Sequence, residues 1–239
     1  MIVKSTDIKN NFGKYIKLLE DEDIIITKNG APVAKIVKQT EWEDLGRISE
    51  QAAEYASKGK KMTYEEFVEF CRKSDDRYEY IDGKAYMIVS PKITHQQVVG
   101  NLFILLYAWF KGKKCRPYLS PFEVTLKKND KNINVVQPDL LVICDPENRD
   151  EKDKYTGVPA LVIEVLSESS RSLDLVKKLD LYMQACIQEY WVVDYFEKEA
   201  ILYGFKDNDI AYMKVFSKDD VLASCIFENL ALKLEDIFA

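Results

Sequence analysis

The chain has 239 residues, 47% of them hydrophobic and 12% aromatic, which is ample for packed cores in one large domain or two small ones. Its net charge of -6 excludes capture of nucleic acid by bulk attraction, so any such contact has to be local. One histidine and five scattered cysteines without a CxxC argue against a zinc site and a disulfide framework and fit a reducing compartment, and the longest apolar run, VVGNLFILLYAWF, is too short to span a bilayer. With no basic-then-apolar leader at the N-terminus, a soluble cytoplasmic protein is expected.

The first segment opens with a short strand at Ile2 and Val3. Ser5 or Thr6 then caps a helix whose apolar positions Ile8, Phe12, Tyr15, Ile16 and Leu19 follow helical spacing. DIIIT and PVAKIV read as a β-hairpin around Asn29 and Gly30, residue types that accept the positive φ of a tight turn. A polar helix is expected over 40–56, and SKGKK reads as a linker. Some 55 residues of this kind make a marginal monomer, so pairing with a second copy is expected.

From Thr63 the pattern changes to a larger α/β unit. TYEE is a capping box for a helix through Arg72, and RYEYIDGKAYMIVS reads as two strands around Asp82-Gly83. Residues 92–110 form the most apolar helix. Strands are expected at 116–126, 134–144 and 159–167, a helix at 171–185, and strands at EYWVVDY and AILYGF. Lys111, Lys113, Lys114, Arg116, Lys127, Lys128 and Lys131 crowd one region against only Glu123 and Asp130; solvated turn lysines and phosphate contacts weigh equally there.

Two acids stand where apolar strands should be unbroken. VVQPDLLVIC holds Asp139 and PALVIEVLSE holds Glu164, and burying an unpaired carboxylate costs several kcal/mol or forces it to take up a proton. A hard divalent cation shared by both would explain them. Backbone donors, an ion pair with a core lysine, or a strand edge facing water would also do so. In the next helix Asp174, Lys178 and Tyr182 fall at i, i+4 and i+8, on one face that could bring Lys178 to the carboxylates. Lys177 is the rival, about 100° away round the helix. His95, at the entry of the apolar helix, is weighed between contact with the site and a capping or packing role, which the helix-entry position favours.

An upstream glutamate, a PD and a following acid on a second strand resemble the PD-(D/E)XK restriction-endonuclease-like nucleases. More closely, residues 62–239 resemble the Uma family of restriction-endonuclease-like proteins, through YEYIDGKAYM, ITHQQVVGNL, VVQPDLLVI, PALVIEVLSESS, the D-x3-K-x3-Y of the helix, and EYWVVD. The nuclease pattern departs at Leu166, where its lysine would stand. The resemblance implies an α/β (α+β) fold, a mixed sheet core flanked by helices. It implies Mg²⁺ or Mn²⁺ held by Asp139 and Glu164 with the Val165 carbonyl as a further ligand, Lys178 assisting from the helix, and Glu79 as an auxiliary acid. The implied activity is metal-dependent hydrolysis of DNA phosphodiesters.

Residues 1–58 resemble the Phd/YefM antitoxin N-terminal domain, through the N-F-G of the helix and the IITKNGAPVA hairpin. That implies a small α+β dimerisation domain that binds DNA as a homodimer, with Lys4, Ser5, Lys9, Asn10 and Lys14 as contacts. Two other readings stand beside the endonuclease: a non-catalytic DNA-binding regulator, and a toxin–antitoxin-type interaction protein that docks a toxin-like partner.

Overall fold

The computed structural model describes residues 2–4, 24–28, 31–36, 59–167, 170–217 and 219–239. By internal packing the chain separates into Met1–Ile48 and Ser49–Ala239. In the first unit β1 (Ile2–Lys4) runs parallel to β2 (Ile24–Lys28), which pairs antiparallel with β3 (Ala31–Ile36). These strands match the expected strand and hairpin. The expected helices of this segment and the Asn29-Gly30 turn lie outside the described residues.

The second unit holds two larger sheets. The five-stranded one has the order β4 (Lys60–Lys61), β6 (Lys84–Met87), β5 (Tyr78–Ile81), β9 (Asn132–Val136), β8 (Val124–Asn129). Asp82 and Gly83 both take positive φ, 49° and 78°, as a two-residue hairpin between β5 and β6 requires. The expected linker is shorter than SKGKK, because Lys60 and Lys61 pair with Ala85 and Lys84 as the edge strand. Helix α1 (Tyr64–Arg72) starts with the capping box: Thr63 Oγ1 accepts from the Glu66 N–H while Glu66 Oε2 accepts from the Thr63 N–H.

The six-stranded sheet runs β14 (Asp209–Ser217), β13 (Glu199–Lys206), β12 (Glu189–Asp194), β11 (Leu161–Val165), β10 (Leu140–Ile143), β7 (Arg116–Leu119). Only β11 and β12 are parallel, and a helical crossover over Leu173–Gln184 joins them, as parallel neighbours require. Alternate residues of β10 and β11 serve two cores. Leu140, Val142, Leu161, Ile163 and Val165 pack under α2 (Ile93–Phe110); Leu141, Ile143 and Val162 face the crossover helix and the second sheet. β15 (Val221–Ala223) pairs with β16 (Ala231–Lys233), and α3 (Leu179–Gln184) and the short α4 (Leu234–Ile237) complete the described elements.

Three expectations are corrected. The strands placed at 116–126 and 134–144 each divide between the two sheets, because Pro121 and Pro138 lack the N–H a continuing ladder would need. β14 to β16 carry no counterpart in the reading of the sequence. Cys115 and Cys144 are joined as one disulfide, since Arg116 pairs with Ile143 and the antiparallel register sets the two cysteines side by side, Cα atoms 4.0 Å apart. Among the described residues no helix is long and apolar enough to cross a membrane.

One buried acid is purely architectural. Glu189 is fully buried at the start of β12 and accepts from the Trp191 indole, the Ser224 hydroxyl, the Cys225 thiol and the Cys225 and Ile226 N–H groups. It pins the 224–226 turn to the sheet. Burial, and then the Glu189 carboxylate, push the Cys225 thiol up to about 12. Glu189→Ala strands these donors and should lower unfolding free energy by about 3–5 kcal/mol in urea denaturation.

Candidate active site

Asp139 lies one residue before β10, and the pairing of Leu140 with Ile163 sets it beside Glu164 of β11. Both fall on the face that carries Leu141 and Val162, so the crossover helix covers them. The first turns of that helix, Leu173–Lys178, are π-helical, a widening that recurs at functional sites. It buries Asp174 and Lys178 while Lys177 stays exposed. Glu79 enters from β5 of the other sheet and is 4% exposed. Sheet, sheet and helix therefore converge on one lysine.

Lys178 Nζ lies 2.9 Å from Glu164 Oε1, 3.0 Å from Glu79 Oε1 and 3.4 Å from Asp174 Oδ1. The Tyr182 hydroxyl donates to Glu164 Oε1 at 2.7 Å, and the Gln137 N–H donates to Glu79 Oε1 at 2.9 Å. Asp139 Oδ2 accepts the Val165 N–H at 2.8 Å, and the Asp139 N–H lies 3.4 Å from Glu164 Oε2. His95 joins from α2: its Nε2 is 2.9 Å from the Val165 carbonyl and 3.3 Å from Asp139 Oδ2. The structure thus gathers Glu79, Asp139, Glu164, Val165 and Lys178 at one place. It adds His95, for which the sequence favours a capping or packing role, and makes Asp174 a buried member of the cluster. Lys4 lies in β1, while Ser5, Lys9, Asn10 and Lys14 lie outside the described residues.

Charge is the governing fact here. Three buried carboxylates share one lysine, so the full set of charges does not balance. Burial, reinforced by Asp174, Asp139 and Glu79 and opposed by Lys178, holds the Glu164 carboxyl well above its usual range. Burial likewise raises Asp174 to about 6, again against Lys178. For Lys178, burial favours the neutral amine but the surrounding Glu164, Glu79 and Asp174 outweigh it, and its pKa rises. Burial and Glu164 keep Tyr182 a phenol and therefore a donor. Burial would lower His95, yet Asp139 and the Val165 carbonyl prevail and raise it.

A pH dependence follows. Asp174 has a folded pKa above its unfolded value, so its contribution is largest below about pH 4 and is lost as pH rises through about 6. Asp174→Asn should remove a decline on the order of 3 kcal/mol across that window, read as a flatter profile of unfolding free energy between pH 4 and 7.

The donors suit a hard divalent cation. Excess carboxylate calls for more positive charge than Lys178 supplies, and among the described residues Asp139 Oδ1 accepts no hydrogen bond, on a side chain 21% exposed where the rest of the cluster is sealed. Among the described residues no group of three or more His, Cys, Asp or Glu side chains is placed to hold a metal ion by itself. A cation would therefore rest on the adjacent pair Asp139 and Glu164 and retain water, which is the habit of Mg²⁺.

The fold is that of a restriction-endonuclease-like nuclease. A crystal structure of a "putative nuclease belonging to DUF820" from Anabaena variabilis superposes with a TM-score of 0.62, covering 74% of this chain and 97% of that one at 21% identity. Residues 64–235 match the Uma2 family, described as "Putative restriction endonuclease", and the chain belongs to that family. Residues 1–61 match the antitoxin Phd_YefM of type II toxin-antitoxin systems. Two relatives from Synechocystis sp. are uncharacterized proteins. One, slr1290, is 28% identical over 62% of this chain and 76% of its own length; the other, sll1609, is 24% identical over 56% and 76%.

Proposed function

We propose that the protein is a divalent-metal-dependent DNA endonuclease whose Phd/YefM-like segment pairs two copies and holds DNA. The observation that carries this reading is the placement of Asp139, just before β10, beside Glu164 of the paired β11, with Lys178 Nζ 2.9 Å from Glu164. Asp139 and Glu164 would hold Mg²⁺ or Mn²⁺, with the Val165 carbonyl adjoining. When bound, the cation supplies an acidified water and offsets charge on the phosphate. Lys178 and Tyr182 keep Glu164 oriented through its Oε1, leaving Oε2 on the Asp139 side. Glu79 holds Lys178 from the opposite sheet and so acts on Glu164 indirectly. A homodimer would bring two such sites to two strands, with Lys4, Ser5, Lys9, Asn10 and Lys14 as DNA contacts.

The test is nicking of supercoiled plasmid by the full chain in Mg²⁺ or Mn²⁺, with chelator as control. Metal-dependent nicking supports the reading; intact plasmid with either ion across pH 6–9 and across salt concentrations contradicts it.

One feature favours a second reading, a non-catalytic DNA-binding regulator. Lys178 already sits among Glu79, Glu164 and Asp174, as a structural ion cluster would. That reading predicts salt-dependent DNA retention without cleavage.

A further inference from the structure

His95 is 6% exposed on the first turn of α2, and the chemistry outlined above gives it no task. Its Nε2 faces two acceptors, the Val165 carbonyl at 2.9 Å and Asp139 Oδ2 at 3.3 Å, so Nε2 is the nitrogen that carries hydrogen. Nδ1 is buried with no hydrogen-bond partner among the described residues, so Nε2 makes every polar contact of the ring. Tyr195 lies edge-on, its ring centroid 6.4 Å from the imidazole, on the turn that follows β12. The imidazole is thus held from two sides.

The consequence falls on Asp139. Val165 donates its N–H to Asp139 Oδ2 and gives its carbonyl to His95 Nε2, which also faces Oδ2. Among the described residues, both polar partners of the carboxylate therefore gather on one oxygen. Oδ1 accepts no hydrogen bond from the described residues, on the one partly exposed side chain of the cluster.

We propose that His95 is a positioning residue that clamps Asp139 through Oδ2 and ties it to the end of β11, aiming Oδ1 at the cation. The proposal rests on the nuclease reading for its purpose, though not for its geometry. Groups that orient a metal ligand from behind commonly govern affinity by about 10- to 100-fold. A core histidine that merely fills space would set stability and leave affinity alone.

Two measurements on the full chain test this. Because His95 is the only histidine, its ring nitrogens are read directly by ¹⁵N NMR. The proposal requires hydrogen on Nε2, with or without a second one on Nδ1, and a moved Nε2 signal in Asp139→Ala; a bare Nε2 in the wild type, or an unmoved signal in the variant, overturns the clamp. Mn²⁺ calorimetry on folded His95→Ala should show at least tenfold weaker binding than wild type. His95→Gln, whose amide nitrogen reaches the Nε2 position, should recover most of the loss. Wild-type affinity in His95→Ala overturns the positioning role. If the wild type itself binds no Mn²⁺, the nuclease reading and the aiming role both fall, and the NMR result alone decides whether the clamp exists.

Discussion

Lys178→Met should lower the free energy of unfolding by about 3–5 kcal/mol near pH 8, measured by urea denaturation. Methionine fills nearly the same space, so what is lost is the charge that Glu164, Glu79 and Asp174 surround. Three buried carboxylates then have no cation. The deficit should shrink on acidification. Glu164 and Asp174 have folded pKa values above their unfolded ones, so they take up protons readily as pH falls, and a protonated acid no longer needs the lysine. The lysine's own titration, raised further by its neighbours, lies above this range and does not enter. Lys177→Met, on the exposed side of the same turn, should stay within about 0.5 kcal/mol of wild type. A Lys178→Met variant as stable as wild type at pH 8 would mean that the cluster is neutralised by protons throughout, and the account of its electrostatics would be wrong.

Asp139→Ala and Glu164→Gln should each slow cleavage by about a thousandfold or more, equivalent to roughly 4 kcal/mol of activation free energy. The two substitutions remove the pair of adjacent carboxylates by different routes. Asp139→Ala leaves the Val165 N–H without its acceptor but creates little cavity, because the side chain is partly exposed. Glu164→Gln keeps the shape and still offers an oxygen to Tyr182 and Lys178, while removing the charge. Native circular dichroism with lost nicking is the expected outcome. Undiminished nicking in both variants would place the chemistry elsewhere.

Much of this site was legible because charge interrupts periodicity. Asp139 and Glu164 stood out as acids in apolar strands, and the spacing of Asp174, Lys178 and Tyr182 marked one helix face. That face is buried against Glu164, the core-lysine pairing the sequence had left open among its alternatives. The choice between Lys178 and Lys177 was not legible, since neighbouring helix positions differ only in direction and the partner sheet sets which one is inside. For His95, contact with the site ranked below capping or packing for a different reason. Its partner is a backbone carbonyl 70 residues away, and backbone acceptors leave no trace in sequence. In the fold, the capping box, the Asp82-Gly83 turn and the strands at 161–165 and 189–194 followed from local chemistry. The breaks at Pro121 and Pro138 were written in the chain but overruled by long apolar patterns. β14 has exposed residues on both faces, so burial did not impose a clear alternation on it.

The most direct measurement is Mn²⁺ binding by calorimetry, wild type against Asp139→Ala. A saturable site is expected in the wild type and should disappear in the variant, with Glu164→Gln behaving alike. Equal binding in both chains, or none in the wild type, would contradict the metal centre and leave the buried carboxylates as a structural cluster around Lys178.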